Sequence, residues 1–311
     1  MKLVQLFAGL ARLDAGAAAQ LGSRRQLVRY LGGAGRAVAG AALPGLLSGL
    51  PRRAAAQAAT LSGPATDALT LVVQLGYLQL YLYQQGVALF AGNDQAALLA
   101  IMADEQAHLT TLQADLGLAT TAVAQATSFD YTAVGQLTPF ADAPSFLALA
   151  QVLEDLSVRA YKTALATLIG NQAEQRTVLG IHTVQARHAS HIRTMRRGGV
   201  GVAGADGGGP ADSLPKSWVS EQEGGGPVPA VTAAIYGPGA QATATTPAYP
   251  AEDNTTQAQL DLLVNTVALS DKLQITKYVA SEAFDEPLDG KSVKAIALQF
   301  VAQGNPAKLF L

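Results

Sequence analysis

The feature that most constrains this chain is an internal repeat of helical pairs. Residues 66–116 and 144–196 each read as two long helices with the same layout of polar groups on an apolar background. In the first pair, Gly76 is followed seven residues on by Tyr83, and the next helix carries Glu105 and His108. In the second pair, Glu154 is followed seven residues on by Tyr161, and the next helix carries Gln185 and His188. Residues three apart share a helix face, so each second helix offers an x-x-x-His pair to one side. Two such pairs predict an all-α four-helix bundle with these side chains meeting in its core.

Boundary signals divide the chain further. Helix one is expected from about 65 to 91, capped by Thr66 or Asp67 and ended by Gly92-Asn93. Helix two runs over 94–116 and ends at Gly117. Residues 117–143 are long for a turn and suit a crossover, with room for a short extended piece around "SFDYTAV". Helix three, 144–169, has Asp142 as its cap and Pro144 in its first turn. Helix four, 171–196, opens on "NQAE", which reads as a capping box with Asn171 as cap and Glu174 reaching back. Residues 197–253 form a Gly/Pro-rich extended segment whose lone Trp218 is expected to pin it to the bundle. Residues 254–311 recover helical pattern at 260–284 and in "KSVKAIALQFVA", separated by a turn at "DEPLDG". The acidic residues there, Glu282, Asp285, Glu286 and Asp289, read as a solvated turn.

The first 58 residues read as a targeting segment. "SRRQLVR" at 23–29 precedes a weakly apolar stretch rich in Gly and Ala, and "PRRAAAQAA" offers small residues near Ala56 and Ala58. That order resembles a twin-arginine signal peptide, which places the mature protein in the periplasm or on the cell surface. No remaining stretch is a credible membrane span, because residues 71–90 carry Gln74, Gln79, Gln84 and Gln85. With a net charge of -2 and 14% charged residues, there is no basic stripe for nucleic acid. The absence of cysteine excludes disulfides, thiolate zinc sites and a cysteine nucleophile.

The motifs "ADEQAHLTTL", "VLEDLSVRAYKTAL" and "VQARHASHIR", with "LGYLQLYLY" before them, resemble the ferritin-like superfamily over about residues 66–196. The exported, desiccation-related members are the nearer likeness, and "EDNTTQ" and "SEAFDEP" look like the C-terminal extension of bacterial members. The resemblance implies a ferritin-like bundle in which a Glu from each of two helices and a Glu-x-x-His from each of the other two hold two metals. Carried over position by position, Glu105, His108, Glu154 and His188 are the candidate ligands. Gly76 and Gln185 stand where carboxylates are expected, and Tyr83 and Tyr161 lie behind the ligands. Neither Gln79 nor Tyr81 is a good replacement on helix one. His182 and His191 read as surface or rim histidines, and Arg193 as a charge favoured by the end of the helix four dipole.

With two carboxylates gone, a dinuclear ferroxidase centre is not expected, since hard metals need anionic oxygen ligands. The first expectation is a non-catalytic exported protein, a stress- or desiccation-associated scaffold whose core polar groups satisfy one another. The alternative is a mononuclear oxidoreductase using Glu105, Glu154 and His188 for iron, manganese or peroxide chemistry. The cofactor is accordingly none or one ion of iron, manganese or zinc, with no organic group. The expected partner is a second copy of the chain or a ferritin-like paralogue. In either case Gln185 keeps the hydrogen-bonding shape of a carboxylate without its charge.

Overall fold

Pro64 decides where the first helix begins. Its fixed φ suits a first turn, so helix α1 starts at Gly63 and runs to Gly86, with Ser62 accepting from the Ala65 amide at 3.4 Å. The cap is therefore Ser62 and neither Thr66 nor Asp67. In the computed structural model, the described residues are 61–118, 123–199, 215–222, 230–243, 248–257, 260–261 and 277–311. The signal-like segment 1–58, most of 260–276 and part of the Gly/Pro-rich segment lie outside them.

After α1 the chain makes a 3₁₀ turn, Val87–Leu89, and re-enters helix as α2, Gly92–Asp115. Gly117 at φ +64 ends it in the left-handed region that favours glycine. Helix α3 spans Ala143–Thr167, and Asp142 caps it by accepting from the Ser145 amide at 2.7 Å. Helix α4 spans Gln172–Arg196. Asn171 occupies its cap position but its side chain makes no cap bond, so the expected capping box is not formed. Helix α3 packs most extensively on α4, α1 packs on both α2 and α3, and α2 touches α4 more lightly.

The crossover between α2 and α3 is tied down at two levels. The Tyr131 hydroxyl donates to the Leu78 carbonyl at 2.6 Å, and Tyr81 donates to Ala124 at 3.0 Å. The extended piece is a single antiparallel bridge between Phe129 and Val301, flanked by bonds from Asp130 to Phe300 and from Ala302 to Ser128.

Among its described residues, the C-terminal extension holds a two-stranded hairpin (β1, Thr256–Gln257; β2, Leu260–Asp261), a five-residue helix α5 (Lys277–Ser281) and α6 (Gly290–Ala297). Leu260 and Asp261 are therefore strand where a helix was expected; Asn254, which bonds to the Thr256 amide and carbonyl, turns the chain there. Arg159 is the anchor. From inside α3 its guanidinium donates to the carbonyls of Ile235, Gly237, Pro250, Glu286 and Pro287 and pairs with Glu252 at 3.0 Å. Trp218 is 39% exposed and is not the pin. The acidic residues are not simply solvated either. Glu282 pairs with buried Lys216, Glu286 accepts from Asn254, and Asp289 caps α6. Among the described residues no helix is long and apolar enough to cross a membrane.

Candidate metal centre

Each helix of the bundle sends two polar groups into the middle of the core. Glu105 and His108 come from α2, Glu154 and Ser157 from α3, Gln185 and His188 from α4, and Gln79 and Tyr83 from α1; all are buried. They are held there by the apolar stripe on either side, including Leu78, Leu82, Leu109, Leu153 and Leu156. A polar group in such a place is costly unless it finds a partner, so its bonds account for most of the chemistry.

A line of hydrogen bonds crosses the bundle. The Ser157 hydroxyl donates to Gln79 Oε1 at 2.8 Å, and Gln79 Nε2 donates to Gln185 Oε1 at 3.0 Å. Gln185 Nε2 in turn donates to both oxygens of Glu105, at 2.9 and 3.0 Å. Gln79 is thus the link between α3 and α4 rather than a substitute ligand, and Tyr81 is occupied with the crossover. Gly76 has a packing reason. A Cβ there would meet Leu109 Cδ2 at 3.0 Å and Cγ at 3.2 Å, so Leu109 fills the space above it.

On the other side of Glu105 lies a tighter group. Glu105, Glu154 and His188 each place a donor atom within 4.8 Å of the others. His188 Nδ1 is 3.1 Å from Glu105 Oε1 and 3.8 Å from Glu154 Oε2. His108 is not in this group. Its Nδ1 lies 3.5 Å from both Glu105 Oε2 and Gln185 Nε2.

His188 uses its other nitrogen as well. Nε2 is 3.2 Å from Oδ2 of Asp104, the residue just before Glu105 and partly open to solvent. A carboxylate on the far nitrogen fixes the ring's orientation and leaves Nδ1 for the interior. Tyr83 donates to Glu154 Oε1. In this group two buried atoms have no hydrogen-bond partner among the described residues: Glu154 Oε2 and the hydroxyl of Tyr161. The self-satisfied core expected from the sequence is therefore incomplete at the candidate ligand group.

The charges follow from burial and pairing. Burial disfavours an anion at Glu105, but hydrogen bonds from His108 and His188 outweigh it and hold the carboxyl well below its ordinary range. Glu154 has no comparable support, and burial lifts it to about 8 against the pull of His188. Burial also opposes charge on His188, yet the bonds to Asp104 and Glu105 and the nearness of Glu154 raise it to about 10. Burial and pairing thus favour the anion at Glu105, the cation at His188 and the neutral acid at Glu154.

The donor set suits one metal ion. Two carboxylates and an imidazole, already within a few ångströms of one another, can converge on a divalent ion at about 2.0–2.2 Å from each. A carboxylate oxygen has two lone pairs, so Glu105 can keep the Gln185 bond while it ligates.

Three residues escaped the sequence reading. Asp104 was signalled only by its place beside Glu105. Ser157 stands three residues after Glu154, on the same face. Arg159 was signalled by being the one arginine inside the apolar part of α3. Arg193, expected to serve the helix dipole, is instead buried and paired with Asp155, which also accepts from Tyr236 at 2.6 Å. His191 is exposed as expected, and His182 is partly buried with Nδ1 lacking a partner among the described residues.

Residues 65–197 match the family model described as a ferritin-like domain. No curated protein and no solved structure matches the chain significantly. The matched span coincides with the four helices, their crossover and the buried Glu105–Glu154–His188 group, and residues 65–197 are a ferritin-like domain.

Proposed function

We propose that this ferritin-like domain holds one divalent ion, of iron, manganese or zinc, between Glu105, Glu154 and His188. The observation that carries the reading is Glu154 Oε2, a buried carboxyl oxygen with no hydrogen-bond partner among the described residues, 3.8 Å from His188 Nδ1. A buried oxygen left bare costs about 1–3 kcal/mol, and an ion at that point removes the cost. When bound, a redox-active ion with three protein ligands and open positions supplies Lewis-acid and electron-transfer chemistry for a small oxidant such as peroxide. The protein's own part is to orient the ligands. Asp104 orients His188, Tyr83 orients Glu154, and Gln185 supports the charge of Glu105 from behind. A cleft of about 430 Å³ between α2 and α4, with Ala97, Ala100 and Ile101 on its wall, reaches the edge of His188 and gives access from solvent.

Gln185 favours a second reading, a metal-free exported scaffold associated with stress or desiccation. Its amide already compensates Glu105, so the core tolerates loss of metal. Export rests on the sequence of residues 23–58, and replacing Arg24 and Arg25 by Lys should abolish it in cell fractionation. Assembly as a homo-oligomer or with a ferritin-like paralogue belongs to both readings.

Metal content of mature protein from its native host, measured beside Glu154→Ala/His188→Ala, separates them. About one ion per chain, lost in the variant, supports the mononuclear site. No metal in either sample, with no change in thermal stability on adding iron, manganese or zinc, leaves the scaffold.

A further inference from the structure

A second feature lies away from the metal group. Where the C-terminal extension crosses the bundle, a cavity of about 640 Å³ opens between the first turns of α1, the second half of α3 and α6. On α3 it begins at Ala160, six residues and about 9 Å along the axis from Glu154. Its size is that of a small-molecule site. The walls stay apart because α3 presents Ala160 and Ala164 there, and Leu71, Leu288 and Phe310 line the rest.

The two threonine hydroxyls in the wall are already bonded to main-chain carbonyls. Thr163 Oγ1 donates to Leu288 O at 2.8 Å, and Thr167 Oγ1 donates to Thr163 O at 3.1 Å. A polar ligand would lose its water and find few partners on that floor. The rim differs. Lys291 and Lys294 stand on α6 three residues apart, on one face, and both border the opening. Lys294 already gives one of its three N–H groups to the main-chain oxygen of Leu311, the last residue, at 2.6 Å, and keeps two more donors. The Lys291 side chain is exposed and has no partner among the described residues. Among the described lining residues, the acidic side chain is that of Asp67, on α1.

An apolar floor of this volume under a pair of cations selects a ligand with an apolar tail and an anionic head. We propose that the cavity binds a free fatty carboxylate, its chain against Leu71, Leu288 and Phe310 and its head between Lys291 and Lys294. The proposal does not depend on the metal.

The test is calorimetric titration of the full chain with dodecanoate below its micelle concentration, with 1-dodecanol as the uncharged probe. The wild type should bind one dodecanoate per chain saturably, and dodecanol more weakly. Lys291→Gln/Lys294→Gln should weaken dodecanoate by about tenfold and leave dodecanol unchanged, as two partly exposed ion pairs would. Ala68→Leu, which fills the opening from α1, should weaken both ligands, with an unchanged unfolding temperature to show that it is folded. Absence of saturable dodecanoate binding to the wild type overturns the proposal. So does binding indifferent to both variants, or binding seen only with phospholipid vesicles.

Discussion

Restoring the missing carboxylate at position 185 is the sharpest perturbation of the site. Gln185 Nε2 gives two hydrogen bonds to Glu105, at 2.9 and 3.0 Å, inside a core where both residues are fully buried. In Gln185→Glu that donor becomes an acceptor facing an anion. Two carboxylates at this separation cannot both be charged, so the new one must take up a proton. At pH 7 that costs about 3.7 kcal/mol, from a reference value of about 4.3 and about 1.36 kcal/mol per pH unit. The protonated carboxyl can donate one bond to Glu105, so one of the two bonds is lost, at about 1.5–3 kcal/mol for a charged acceptor. The bond from Gln79 survives, because the new side chain still accepts. The sum is about 5–7 kcal/mol of destabilisation at pH 7 in chelator. It should fall to about 2–4 kcal/mol at pH 5, where protonation is nearly free. Urea unfolding at both pH values measures it. Added manganese or zinc should recover part of the loss at pH 7, because a third carboxylate beside Glu105 and Glu154 gives the ion another anionic ligand. A variant as stable as wild type in chelator at pH 7, or equally destabilised at both pH values, refutes the reasoning.

Four further outcomes follow from the same geometry. Asp104→Ala should weaken metal binding by about 10–100-fold in a competition assay, with little change in stability because the side chain is partly exposed. Metal binding should strengthen with rising pH. Metal and proton compete for the same lone pairs on Glu154 and His188, which are held at about 8 and about 10, so both lose protons as metal enters at pH 6–8. Calorimetry in buffers of different ionisation heat should count about two protons released, and a count of zero would contradict the assigned charges. Arg159→Leu should cost about 3–5 kcal/mol by leaving Glu252 unpaired and its carbonyl cage without a donor. Limited proteolysis should then cut the chain beyond residue 197 well before the bundle. Gly76→Ala gains about 1 kcal/mol of helix propensity but pushes on Leu109, at about 1–3 kcal/mol, so thermal unfolding should show a net loss of up to about 2 kcal/mol.

The local chemistry of the chain determined the four helices and most of their ends. Asp142 with Pro144, and Gly117, act within one turn of themselves, and their effect does not depend on the rest of the molecule. The same holds for which residue types face the core, since i, i+3 spacing places Glu105 with His108 and Gln185 with His188 on any helix. Two starts are exceptions: Ser62 rather than Thr66 or Asp67 caps α1, and at Asn171 the presence of a capping side chain does not ensure its rotamer. What lay beyond the sequence depended on pairings between distant segments. That Gln185 meets Gln79 and Glu105, that His188 turns Nε2 to Asp104, and that Glu154 Oε2 is left bare are consequences of how four helices are rotated against one another. Arg159 shows the point most plainly. One arginine inside an apolar helix signalled a partner, but its five carbonyls lie between 76 and 128 residues further along the chain. Only the closed tertiary structure brings them to one place, because no local preference of those segments requires them to meet.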